Sequence, residues 1–137
     1  MPKPPLPPEV DALLRRPNPA VISTLMKDGS PHTAATWYDW DGERILVNMG
    51  ATRQRLKNMR RDPRVALTVL DGESWYRQVT VLGRVVEIRD DAEFEDINHL
   101  SLRYTRRQFS NRLRARITAL IEPDSWYGWE GSTYWPN

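Results

Sequence analysis

Short runs of apolar and β-branched residues, separated by turn dipeptides, dominate the first third of the chain. The runs 20–26 and 32–40 end at Asp28-Gly29 and Asp41-Gly42, and a third run covers 45–49. Asp-Gly between two apolar runs is typical of a two-residue hairpin turn. The pattern therefore predicts three consecutive antiparallel strands that form a meander.

The rest of the chain continues this pattern. Strands are predicted over 65–70, 75–88 and 116–121, with a bulge or bend at Gly83 and an aromatic tail over 122–137. Six strands with only short helices between them favour one antiparallel sheet closed into a small barrel, because closure removes exposed edges. A Rossmann fold is disfavoured, since it needs long helices between its strands.

Three short helices are predicted between these strands. The first covers 8–16 and is stopped by Pro17, the second covers 52–61 with Thr52 as its N-cap, and Asp90 caps the third. Apolar residues recur at helical spacing in the third helix, at Phe94, Ile97, Leu100 and Tyr104.

The length of 137 residues fits a single domain over 1–137, which includes a proline-rich N-terminal segment at 1–8. The chain has no cysteine, which excludes disulfides, thiolate metal sites and cysteine nucleophiles. No apolar run approaches the roughly 20 residues that span a bilayer, and the start lacks the apolar stretch of a signal peptide. We expect a cytoplasmic protein that does not bind membranes.

The charged residues are grouped in blocks, although the net charge is only +2. Segment 51–64 carries six basic residues and one acid, and segment 103–116 carries six arginines and no acid. An acidic block at 87–96 lies between them. The two basic blocks are candidates for binding an anion.

The predicted second helix begins with charges of the wrong sign. A helix N-terminus favours acidic side chains, but this one carries Arg53 and Arg55, whereas the third helix has Asp91 and Glu93 at its start. Free backbone N–H groups and guanidinium groups together suit an external anion. The alternative is a basic helix face that is simply exposed to solvent.

Aromatic residues are the second distinctive feature. They cluster at Trp37, Tyr38 and Trp40, at Trp75 and Tyr76, and in the tail at Trp126, Tyr127, Trp129, Tyr134 and Trp135. Flat rings can form the walls of a site for a planar ligand, but they also fill cores and dimer interfaces. Both interpretations stay open at this stage.

Other kinds of site have little support. His32 and His99 lack partners at metal-ligand spacing, so no metal is expected. The chain has no Gly-x-Ser-x-Gly, Gly-x-Gly-x-x-Gly or Walker motif, although a Ser-His-Asp triad could form without one. The nearly balanced charge and the missing recognition motifs disfavour nucleic acid as a partner.

Three segments are similar to one known family. Asn18-Pro19-Ala20-Val21, Asp28-Gly29-Ser30-Pro31 and the stretch 58–65, Asn-Met-Arg-Arg-Asp-Pro-Arg-Val, resemble the pyridoxamine 5′-phosphate oxidase-like split β-barrel proteins. The likeness extends from about residue 9 to Gly128, and it is strongest to the branch that uses the deazaflavin coenzyme F420.

This resemblance implies a mainly β, six-stranded antiparallel split β-barrel that forms a homodimer. The cofactor would lie in a groove between the subunits, with its phosphate on the basic helix start. The cofactor-binding residues that it implies are His32, Thr33, Thr36, Trp37, Asn48, Met49, Gly50, Arg53, Arg55, Lys57, Asn58 and Gln78.

The function that this resemblance implies is hydride transfer from reduced F420 to a small unsaturated, quinone-like or tetrapyrrole-like acceptor. No catalytic side chain is assigned. Tyr38, Tyr76, Tyr127 or solvent could supply a proton, and Trp37, Trp126 and Trp129 are expected to form walls for the ring and the substrate.

Two alternatives keep the fold. Many members of the F420 branch have Lys where Arg55 stands, and Gln78 is similar to a residue of the FMN branch, so FMN is the alternative cofactor. The second alternative is an F420- or flavin-binding protein without turnover.

Overall fold

The computed structural model describes residues 1–130 and the backbone of residues 133–135. The elements in chain order are α1 (Pro8–Arg15), β1 (Ala20–Leu25), β2 (Pro31–Thr36), β3 (Asp39–Trp40), β4 (Ile45–Gly50), α2 (Gln54–Arg61), β5 (Arg64–Leu70), β6 (Arg77–Asp90), α3 (Glu95–Thr105), β7 (Arg116–Glu130) and β8 (Thr133–Trp135).

All the strands belong to one antiparallel sheet with the order β2-β1-β5-β6-β7-β4-β3, and β8 pairs with β7. The sheet does not close on itself, as expected of a split barrel, and the predicted mainly β fold is confirmed. Among the described residues it has eight strands instead of the six that were predicted. The additional strands come from a break in one predicted strand and from pairing within the aromatic tail.

The predicted meander is wrong. The single strand expected over 32–40 breaks at Trp37 and Tyr38, so that β2 pairs with β1 while β3 pairs with β4 at the opposite end of the strand order. The physical reason is the burial of Tyr38, whose side chain is completely inaccessible and whose hydroxyl donates to the Arg16 carbonyl oxygen at 3.0 Å. The chain leaves the sheet to place this ring in the core.

Both predicted caps also shift. Helix α2 begins at Gln54, and its N-cap is Arg53 instead of Thr52, with no side chain capping the helix. Asp90 ends β6, and the carboxylate of Asp91 accepts the backbone N–H groups that open α3. This more distant cap is needed because the N-cap residue, Phe94, has no polar side chain.

Much of the predicted aromatic tail belongs to a strand. β7 continues through the tail to Glu130 because the long β6 offers pairing partners along that whole length. Trp126 lies opposite Val81 in the core and is only 2% exposed. The side chains of Tyr134 and Trp135 lie outside the described residues.

The predicted irregularity at Gly83 is confirmed. The register between β6 and β7 shifts between Leu82 and Gly83, and a Cβ atom at residue 83 would clash with the Glu122 carbonyl oxygen. Glycine is therefore required there by close approach of the two backbones.

Arg103 joins three parts of the fold. From α3 its guanidinium donates to the carbonyl oxygens of Leu14, Arg15 and Arg16 at the end of α1, at 2.7–3.2 Å. It also donates to the Tyr38 carbonyl at 2.9 Å. A cation is favoured at a helix C-terminus, so this contact fixes α1 and the link after β2 against α3.

Candidate functional site

A cavity of about 510 Å³ opens where the start of β1, the end of β2, β4 and α3 meet. Its most distinctive feature is a flat aromatic pair, in which Trp37 and Tyr104 stack with their ring centroids 5.4 Å apart and an angle of 10° between the planes. Ile97, Leu100 and Phe109 add further apolar surface. This wall suits a planar ring system.

A second cavity of about 730 Å³ adjoins the first, and the two share Phe109 and Arg116 in their linings. We call the two cavities together the ligand groove. The groove is lined by four arginines, Arg53, Arg55, Arg114 and Arg116, and by no Asp or Glu among the described residues. An apolar half and a cationic half thus lie side by side.

Arg53, Arg55 and Arg116 are not neutralised by the described residues. No carboxylate oxygen there comes within 4.0 Å of these guanidinium groups, although seven other arginines make ion pairs. Burial lowers the pKa of Arg55, and the nearby positive charges of Arg53 and Arg116 lower it further. Burial and Arg53 likewise lower the pKa of Arg116, which Asp91 partly offsets.

The Nε–H of Arg55 is a buried donor with no hydrogen-bond partner in the described structure. Its Nη2 reaches only the Asn48 carbonyl oxygen, at 3.3 Å. A buried donor left without an acceptor is destabilising, and an anion in the groove would satisfy it. The site thus has both the charge and the missing acceptor that an anionic ligand group requires.

Six of the twelve predicted cofactor-binding residues lie in the groove. Thr36, Trp37, Asn48 and Arg55 line the first cavity, and Gly50 and Arg53 line the second. The structure thus brings the end of β2, the end of β4 and the start of α2 together, and contact of these six residues with a cofactor stays a prediction.

The side chains of Met49 and Asn58 are turned away from the groove. Met49 shares the core-facing side of β4 with Ile45 and Val47, and its side chain is fully buried. Asn58 is also fully buried, and its Nδ2 donates to Thr24 Oγ1 at 3.0 Å. Their side chains therefore hold the protein together and do not line the groove, while contact of their backbone with a ligand stays a prediction.

The other four predicted residues lie outside the lining of both cavities. Lys57 is exposed on α2, and Gln78 is half-buried on β6, opposite Trp129. On β2, Thr33 is exposed, whereas His32 is half-buried with an Nδ1 atom that has no hydrogen-bond partner in the described structure.

The groove residues absent from the predicted set include Tyr104, Phe109, Arg114 and Arg116. Two of them had a signal in the sequence, because Arg114 and Arg116 belong to the basic block without acids. Tyr104 was recognised only as part of an apolar helix stripe, and nothing local indicated that it meets Trp37.

The tyrosines proposed as proton donors are not in the groove lining. Tyr38 is in the core, where burial raises its pKa, and Tyr76 and Tyr127 lie elsewhere on the surface. Trp126, expected to form a wall, is also a core residue. Tyr104 does line the groove, but its hydroxyl donates to the Asn18 carbonyl at 2.7 Å, and burial raises its pKa to about 12.

Among the described residues, neither a cluster of metal-ligating side chains nor a membrane-spanning helix is found. No three His, Asp or Glu side chains there gather as possible metal ligands. None of the described helices has the length and apolar character needed to cross a bilayer.

The sequence profile named pyridoxamine 5′-phosphate oxidase matches residues 6–130, which is most of the chain. The chain belongs to the pyridoxamine 5′-phosphate oxidase family. No curated protein matches it significantly.

Solved structures similar to this chain share its fold. An F420 reductase superposes with a TM-score of 0.82 at 28% identity, covering 88% of this chain and 98% of its own. A conserved hypothetical protein from Mycobacterium tuberculosis gives 0.70 at 25% identity, covering 95% and 88% of the two chains. General stress protein 26 from Bacillus anthracis gives 0.67 at 18% identity, covering 88% and 90%, and shows the fold alone.

Proposed function

We propose that the protein is an oxidoreductase that binds coenzyme F420 in the ligand groove and reduces a small unsaturated, quinone-like or tetrapyrrole-like acceptor. This proposal rests on one observation: arginine side chains without ion pairs to the described residues lie beside a flat aromatic wall. The similarity to an F420 reductase supports the choice of cofactor.

The charge distribution of the groove fits F420 better than FMN. FMN carries one phosphate, whereas F420 carries a phosphodiester followed by several carboxylates. Arg53 and Arg55 would hold the phosphodiester at the start of α2, and Arg114 and Arg116 extend the positive surface into the second cavity. The phosphodiester and part of the carboxylate tail would then meet guanidinium groups, which bind carboxylates and phosphates well.

The apolar half of the groove would hold the ring and the acceptor. When bound, reduced F420 supplies the hydride, and the protein supplies position, electrostatics and exclusion of water. Trp37 and Tyr104 present a flat surface for stacking, and Ile97 and Leu100 limit access of water. Because the Tyr104 hydroxyl is already committed to a carbonyl oxygen, we propose that solvent delivers the proton.

A homodimer is part of this proposal. Along the middle of β1, β5 and β6, the side chains opposite the core-facing ones are all uncharged: Val21, Ser23, Ala66, Thr68, Thr80 and Leu82. An uncharged patch in the middle of a sheet face, in a chain that is 28% charged, is suited to contact with a second subunit. Sedimentation would show a dimer, and a charge introduced by Thr68→Glu would shift it towards monomer.

Binding titrations of F420 and FMN at several salt concentrations test the cofactor. We expect tighter binding of F420 and a steeper loss of its affinity with salt, since it forms more ion pairs. A yellow purified protein that retains FMN and does not bind F420 would support the FMN alternative. Binding of F420 without oxidation of its reduced form by quinones, enones or tetrapyrroles would indicate a binding protein without turnover.

A further inference from the structure

A buried carboxylate is linked to the ligand groove through a single amide. Asp91, which is 5% exposed, accepts the backbone N–H groups of Asp96 and Ile97 at 3.1 and 2.9 Å. These contacts cap α3. The same carboxylate also accepts a third hydrogen bond, from Asn48 Nδ2 at 3.0 Å, which capping does not require.

The contacts around Asn48 allow only one orientation of its amide. Asn48 Nδ2 also donates to Thr118 Oγ1 at 3.0 Å, and that hydroxyl gives its own proton to Asp96 Oδ2 at 2.6 Å. A carboxylate can only accept, so the amide NH₂ must face Asp91 and Thr118. The amide oxygen is left facing the groove, where it accepts from Arg116 Nε at 2.9 Å.

Arg116 is held on two sides while its charge stays available. Its Nε–H is bound by the Asn48 amide oxygen, and its guanidinium carbon lies 5.1 Å from the centre of the Phe109 ring. No hydrogen bond joins its two Nη groups to a described residue, and Arg116 lines both cavities of the groove. A carboxylate in direct contact would fix the same guanidinium, but it would also neutralise it.

We propose that Asp91 is a positioning residue, which acts through Asn48 to hold Arg116 ready for an anionic group of the ligand. The neutral amide transmits the orientation set by the buried carboxylate without an ion pair forming. This inference rests on the proposed function for the identity of the ligand, but the arrangement of the four side chains is independent of it.

The substitution Asp91→Asn tests the proposal because it replaces one acceptor oxygen by a donor of the same size. In either orientation of the new amide, the negative charge that holds Asn48 Nδ2 is lost, so Asn48 is held more weakly and Arg116 loses part of its anchor. We expect F420 to bind about tenfold more weakly, as in Arg116→Ala, and the double variant to bind no more weakly than Arg116→Ala alone.

Thr118→Val provides a second variant that leaves the α3 cap intact, in case Asp91→Asn folds poorly. We expect a loss of several-fold, again without further effect in the Arg116→Ala background. Asp71→Asn is the matched control, since Asp71 is 7% exposed and accepts the Glu73 N–H at 2.9 Å but lies outside the groove lining. It should lower stability and leave F420 affinity unchanged.

A measurement without ligand separates this proposal from the proposed function. The Nε–H proton of Arg116 should be protected from exchange in the ¹⁵N spectrum of the wild type and exposed in both Asp91→Asn and Thr118→Val. Protection unchanged in both variants, or additive losses of affinity with Arg116→Ala, would overturn the positioning role. Protection lost as expected, in a protein that binds neither F420 nor FMN, would instead overturn the proposed function.

Discussion

Trp37 and Tyr104 lie nearly parallel with 5.4 Å between their ring centroids, and this contact joins the link after β2 to helix α3. The hydroxyl of Tyr104 donates to the Asn18 carbonyl, which also fixes the start of β1. A single aromatic pair thus ties three segments together and forms the flat wall of the ligand groove.

Substitutions in this pair should separate its effect on ligand affinity from its effect on stability. Trp37→Ala removes the ring from the wall, and we expect F420 to bind about tenfold more weakly. Tyr104→Phe keeps the ring and removes only the hydrogen bond, so it should cost about 0.5–1.5 kcal/mol of stability and leave affinity within about twofold. Calorimetric titration and urea unfolding measure the two effects. Equal loss of affinity in both variants would contradict the assigned wall.

We expect the positive charges at the start of α2 to strengthen ligand binding without stabilising the fold. Arg53→Ala/Arg55→Ala should weaken F420 binding about a hundredfold, since each arginine would form a charge-assisted contact with the ligand. Its free energy of unfolding should stay the same or rise by up to about 1 kcal/mol, because two charges that oppose the helix dipole are lost.

The matched control for this double variant is Lys57→Ala/Arg60→Ala. It removes the same charge from the same helix, but both side chains are exposed and lie outside the lining of the groove. We expect its affinity for F420 to fall only slightly. A loss as large as in the first double variant would show that overall charge, and not this groove, attracts the ligand.

Arg103 should be a major source of stability. Arg103→Met removes the donor shared by the carbonyl oxygens of Leu14, Arg15, Arg16 and Tyr38, and we expect a loss of about 2–3 kcal/mol in the free energy of unfolding. Arg107→Met, an exposed arginine near the end of the same helix, should change it little. Urea denaturation of both variants checks this difference.

Stability should depend on pH in the acid range partly through Asp62. Hydrogen bonds from the Arg64 guanidinium and backbone lower the pKa of Asp62 from 3.8 to about 2. A carboxyl whose pKa is lower in the folded state stabilises the fold above its unfolded pKa and loses that contribution as the pH falls through its folded pKa. The stability difference between wild type and Asp62→Asn should therefore be largest above pH 4 and shrink towards pH 2.

Urea midpoints at pH 6, 3 and 2 measure this change. Asp90→Asn serves as the control, since Asp90 is an exposed carboxylate without an ion pair to any described residue. A difference between wild type and Asp62→Asn that stays constant down to pH 2 would disprove the role of this contact.

Local patterns were enough for most of the fold. Alternation, Asp-Gly turns and proline positions predicted the helices and strands to within a few residues, because each depends on neighbours in the chain. The break at Trp37 and Tyr38 was missed, since burial of the Tyr38 ring depends on the Arg16 carbonyl, which only the folded chain brings near. The long β7 was missed for the same reason, because its partner strand is β6.

The sequence by itself determined the family, the antiparallel sheet and the presence of an unusually basic helix start, because these follow from short-range patterns and motifs. Tertiary structure decided which arginine side chains form ion pairs with carboxylates and which do not. Among the described residues it pairs seven arginines with acids elsewhere and leaves Arg53, Arg55 and Arg116 around one groove. Charge compensation depends on distances of a few ångströms between residues far apart in the chain, and only folding sets those distances.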